Sequence, residues 1–154
     1  MSIKISTDNR ISSLALNYLS YKARTEKEVY DKLCSIGEFD EEAIQSEIIR
    51  LKDAGLIDDI SYAESFALFK ANRRLDGKNK VKGQLFNKGI RHLPSYEDLG
   101  IDEVSNALTL IKRKMRYVGD LDGEGKRKIT EYLSRKGYSF SDINAAFEGY
   151  CPTE

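Results

Sequence analysis

Three segments of this chain follow one pattern: Val29-x3-Leu33-x3-Gly37, Val81-x3-Leu85-x3-Gly89 and Ile129-x3-Leu133-x3-Gly137. A branched apolar residue and a leucine four apart share one helix face. A glycine four residues later is where a helix stops, because glycine takes the left-handed conformation that closes the last turn. A second match agrees: Phe39, Ile44, Ile48 and Leu51 have the spacing of Tyr138, Ile143, Phe147 and Tyr150. The period is about 50 residues, enough for a three-helix unit that buries too little apolar surface to stand alone. Such units must pack in a row. The expected fold is therefore all-α: three tandem three-helix repeats forming an elongated, curved array, a shape that suits binding along a groove.

Local signals place the units. Residues 1–8 read as a lead-in, followed by repeats over 9–56, 57–101 and 102–150. In the first repeat, Ile11, Leu14, Ala15, Tyr18 and Leu19 have helical spacing. Thr25-x-x-Glu28 forms a capping box, and Asp40 caps a third helix that ends before Gly55. In the second repeat, Ser61-x-x-Glu64 reads as a capping box. Tyr62, Phe66 and Phe69 follow the helix period and are expected in the core rather than as stacking platforms. The next helix covers about 78 to 88, and only a stunted turn at 95–99 follows Pro94. In the third repeat, Val104, Leu108, Ile111 and Met115 share a face. A glycine-rich turn at 119–125 leads to a helix over 126–136, and Ser139-x-x-Asp142 caps the last one.

The 25 acids and 25 bases cancel, but they are segregated. Residues 26–64 hold twelve acids against four bases. Residues 70–91 hold eight bases against Asp76 alone, and residues 112–136 hold nine bases against four acids. Such a distribution fits a partner carrying both signs, for example a protein coated on a nucleic acid. Lysine and arginine runs also serve simply to solvate exposed helices. The spacing puts Lys70, Arg73 and Arg74 on one face, and Lys78, Lys82 and Lys88 on another. Phosphate contacts from them would be sequence-independent and salt-sensitive.

Catalytic chemistry has little to work with. His92 is the single histidine and reads as a solvated turn residue, so His-based triads and His-rich metal sites are set aside. No nucleotide-binding glycine motif is present, and no cofactor is expected. Cys34 and Cys151 read as reduced thiols and make no zinc motif. The run Asp120-x-Asp122-Gly-Glu124-Gly125 with Glu131 imitates a calcium loop, but Lys126, Arg127 and Lys128 would stand inside the ligand cage. It reads instead as a flexible turn and the start of a basic helix. No apolar run reaches membrane-span length and no signal core opens the chain, so a cytoplasmic monomer is expected.

The ordered set of residues resembles the RecX family of regulatory proteins. Residues 54–63 (AGLIDDISYA), with Phe66 and the basic end Arg73-Arg74, look like its signature. Lys78 to Ile90 resembles the helix that follows. Leu14, Leu19, Arg24, Thr25, Glu28 and Leu33 are similar to the opening unit, and residues 135–138 with Ile143 to the closing one. The likeness covers residues 10–150; the shortened third helix of the middle unit and Gly83 inside the basic helix depart from it. It implies an all-helical protein that binds the RecA recombinase, lodges in the groove of its filament on single-stranded DNA, and suppresses its ATPase, strand-exchange and coprotease activities, with no catalytic residues of its own. Filament contacts are then expected from the basic helices: Lys70, Arg73, Arg74, Lys78, Lys80, Lys82, Lys88 and Arg91 in the middle, and Lys112, Arg113, Arg116, Lys126, Arg127 and Lys128 toward the C-terminus. Two other readings stay open: a stand-alone helical nucleic-acid-binding module, and an interaction scaffold that never touches nucleic acid.

Overall fold

Thr25 shows how local chemistry sets the helix ends. Its hydroxyl accepts from the Glu28 N–H at 3.2 Å, and the Glu28 carboxylate accepts from the Thr25 N–H at 2.9 Å. The reciprocal pair satisfies two N–H groups that have no partner inside the helix. Asp40, Asp102, Asp122 and Ser139 cap four more helices in the same way, each accepting from an N–H three residues on. At the other ends, Gly37, Gly89 and Gly137 all take positive φ, at 73°, 85° and 95°. In the three patterned helices the branched residue and the leucine are buried throughout.

The computed structural model of the chain describes residues 2–119 and 121–150, and these are helical, with no strand among them. The helices are α1 (Ser2–Tyr21), α2 (Glu26–Ile36), α3 (Glu41–Asp53), α4 (Asp59–Leu68), α5 (Lys78–Asn87), α6 (Glu103–Val118), α7 (Gly123–Lys136) and α8 (Phe140–Glu148). α4 runs on into a π-helical turn, Phe69–Arg73. Ser95 to Leu99 form one turn, closed by the Leu99 N–H on the Ser95 carbonyl, as the sequence suggested.

The chain divides into two units. The first holds residues 1–63 and 86–91, the second 64–85 and 92–154, so α4 and α5 contribute to both. In the first, α1, α2 and α3 enclose Ile11, Ala15, Val29, Leu33, Ile44, Ile48, Leu51 and Ile57. In the second, α6, α7 and α8 enclose Ala107, Leu110, Ile111, Ile129, Leu133, Tyr138, Ile143, Ala146 and Phe147, with Leu75 joining them.

Four expectations change. The lead-in is helical from Ser2, since propagating a helix outward from a packed segment adds one hydrogen bond per residue. α4 is capped not by Ser61 but by Asp58, whose carboxylate accepts from the N–H groups of Ile60 and Ser61. The turn at 119–125 is shorter than its glycines suggest, because Asp122 already caps α7. The fourth concerns the aromatic stripe. Phe66 is half-buried and Phe69 is 51% exposed, whereas Ala63, Ala67 and Ala71 form the buried face. Both stripes obey the helix period and differ by about one residue of rotation. Positions four apart drift by about 40° per step in an α-helix. The wider turn at Phe69–Arg73 offsets that drift and keeps Ala71 in line with Ala67.

Candidate nucleic-acid interface

The basic residues expected at an interface separate into three groups. The first is engaged in the framework. In the first unit, Lys88 stands just before the Gly89 stop of α5. Its ammonium pairs with Glu28 at 2.8 Å, and its carbonyl accepts from the Thr25 hydroxyl at 2.8 Å. In the second unit, Lys136 stands just before the Gly137 stop of α7. Its ammonium pairs with Asp76 at 2.7 Å, and its carbonyl accepts from the Gly77 N–H at 2.7 Å. These are two copies of one joint, in which a Lys-Gly helix end seats on the N-terminal end of an earlier patterned helix. Glycine is required because a Cβ at Gly89 would stand 2.6 Å from the Lys27 Cβ, and one at Gly137 would fall on the Lys80 backbone.

Lys80 completes the second joint, pairing with Asp76 at 2.8 Å. Asp76 is buried. Burial pushes its carboxyl up, but Lys136 and Lys80 outweigh that and hold it below the ordinary carboxylate range. Glu28 behaves alike: burial raises it, while Lys88 and the Thr25 N–H bring it down further. Beside the joint, the Tyr138 hydroxyl donates to the Leu75 carbonyl at 2.9 Å, and Leu75 takes φ 51°, unusual for a leucine.

The second group lies over aromatic rings. Lys70 stands 5.2 Å from the Phe66 ring centre, Arg74 5.9 Å from Phe69, Lys78 5.5 Å from Tyr96 and Lys126 5.2 Å from Phe147. Two others hold α7 acids: Arg127 pairs with Glu131 and Lys128 with Glu124. With Asp122 serving as a cap, three acids of the calcium-like run have other occupations; Asp120 lies outside the described residues, as does Cys151. Cys34 is an exposed thiol.

The third group is exposed with no ion pair or ring partner among the described residues: Arg73, Lys82, Arg91, Lys112, Arg113 and Arg116. Arg91 borders a cleft of about 580 Å³ in the first unit, lined also by Glu26, Lys27, Asp59 and Phe86. The other five belong to the second unit. Lys112 and Arg116 share one face of α6. His92 is exposed.

Sequence reasoning missed the structural employment of Lys80 and Lys88, and it passed over Lys136, Asp76 and Gly77. The repeated Lys88-Gly89 and Lys136-Gly137 dipeptides were the available signal. It also missed Glu103, which accepts from the Lys78 N–H at 2.7 Å. Burial raises the Glu103 carboxyl from its ordinary 4.5 to about 7; the Lys78 N–H partly opposes this and Asp142 adds to it. Among the described residues no group of His, Cys, Asp and Glu could hold a metal ion, and no helix is long and apolar enough to cross a membrane.

Comparison with known proteins gives a consistent result. Two family models match, described as the first three-helix domain of RecX over residues 13–51 and the third three-helix domain of RecX over residues 101–147. A protein of Finegoldia magna named regulatory protein RecX is 35% identical over 149 residues, covering 90% of this chain and 70% of its own length. One of Clostridioides difficile with the same name is 36% identical over 134 residues, covering 84% of this chain and 62% of its own. The crystal structure of RecX from Lactobacillus salivarius superposes with a TM-score of 0.82 at 32% identity, covering 94% of this chain and 97% of that one.

Proposed function

Because the chain belongs to the RecX family of regulatory proteins, we propose that it binds the RecA recombinase filament on single-stranded DNA and restrains its ATPase, strand-exchange and coprotease activities. It would thereby modulate DNA repair, recombination and the SOS response in the cytoplasm, acting as a monomer and without catalysis. The repeats over 9–56, 57–101 and 102–150 are its working units. One observation carries the contact reading: five exposed cations of the second unit, Arg73, Lys82, Lys112, Arg113 and Arg116, have no neutralising partner among the described residues. A polyanion is the natural complement of such a set. Arg74, Lys70, Lys78 and Lys126 extend it, while Lys80 and Lys88 act by holding the joints.

The test is RecA's DNA-dependent ATPase with this protein added below RecA stoichiometry. Turnover is expected to fall; unchanged turnover at every ratio rejects the reading. Reversing Arg73 and Arg74 together to glutamate is expected to weaken filament binding and flatten its salt dependence. Neither guanidinium takes part in a joint, so a folding defect is not expected. Sequence-preferring binding to duplex DNA without RecA would instead favour the stand-alone module.

A further inference from the structure

Phe69 is a large apolar side chain, 51% exposed, on the π-helical turn Phe69–Arg73. Arg74 lies 5.9 Å from its ring centre, and Lys70 and Arg73 belong to the same short segment. Residues 65–75 contain no acid. The acid that follows, Asp76, is buried and held by Lys80 and Lys136, so it does not neutralise this surface. The turn is also firmly placed. Ala67 and Ala71 are fully buried beneath it, the Asn106 amide donates to the Ala71 carbonyl at 3.2 Å, and the Asp76 N–H closes on the Lys70 carbonyl at 3.0 Å. A half-exposed ring on a firmly placed turn, beside cations with no acidic partner among the described residues, suits a ligand that offers both negative charge and flat aromatic faces.

From this we infer that the turn is a base-stacking platform for single-stranded nucleic acid, with Phe69 taking the face of an unpaired base and Arg73 and Arg74 taking the flanking phosphates. Duplex DNA does not fit, because its bases are already stacked on one another. Such stacking is sequence-tolerant, since every base has a π-face. The inference deepens the proposed function and rests on it only for the presence of single-stranded DNA.

The chain contains no tryptophan, so F69W supplies the only indole reporter. Titration with an oligo-dT strand is expected to quench its emission saturably, while a duplex of equal length leaves it unchanged. F69L keeps the apolar bulk but removes the ring. It is expected to weaken oligo-dT binding about tenfold, with the salt slope unchanged because no phosphate contact is lost. Its thermal midpoint, followed by circular dichroism, should match that of the unmodified chain. The inference falls if F69L binds oligo-dT as the unmodified chain does, if F69W emission stays constant while binding proceeds, or if the unmodified chain does not bind oligo-dT. It falls also if F69L keeps oligo-dT binding but loses DNA-free RecA, which would make Phe69 a protein contact. Inhibition of RecA by the unmodified chain, in any of these cases, leaves the proposed function standing.

Discussion

Asp76 is the single acid of the basic run 70–91, and it accepts from both Lys80 and Lys136 while buried. Removing one partner of a buried ion pair leaves the other charge uncompensated. D76N is therefore expected to lower unfolding free energy by about 3 kcal/mol near neutral pH, measured by urea denaturation. The folded carboxyl titrates below its ordinary range, so its contribution is present above that range and is lost as pH falls through the lowered value. The gap between D76N and the unmodified chain should close in acid. Glu103 has the opposite sign. Its folded pKa is raised to about 7, so the folded state holds the proton more tightly, and stability declines as pH rises from about 4.5 to 7. E103Q keeps an acceptor for the Lys78 N–H and removes the charge. Its melting temperature should exceed that of the unmodified chain at pH 8 and match it more closely at pH 5.

At the scale of elements, helix ends and faces behave differently. Thr25, Asp40 and Gly137 were legible as caps and stops because their partners lie within four residues. The face of α4 was not legible: aromatic and alanine stripes both fit the period, and the fold buries Ala63, Ala67 and Ala71 while leaving Phe69 exposed. Ala67 is fully buried, so A67L is expected to overpack that face and cost about 1–3 kcal/mol by denaturation, whereas F69L should cost little. The two Lys-Gly joints show the same limit. Lys88 meets Glu28 and Lys136 meets Asp76, each 60 positions away. K136M should destabilise the protein far more than K82M, whose lysine is exposed with no ion pair among the described residues; comparison of their melting temperatures checks this.

For the whole molecule, the segregation of charge carries the functional argument. Exposed, uncompensated cations gather in the second unit, and each one that neutralises a phosphate releases a counterion. R113Q with R116Q is expected to reduce the slope of log affinity against log salt by about 1.4 for single-stranded DNA, while an identical slope would remove both from the interface. Most caps and the threefold apolar-glycine pattern were readable along the chain, because each depends on residues a few positions apart. Which lysines face water and which hold a joint were settled only when segments 60 residues apart came together, and which stripe of α4 is buried was settled only by the tertiary fold. Charge and hydrophobicity are properties of a residue, but pairing and exposure are properties of its neighbours in space.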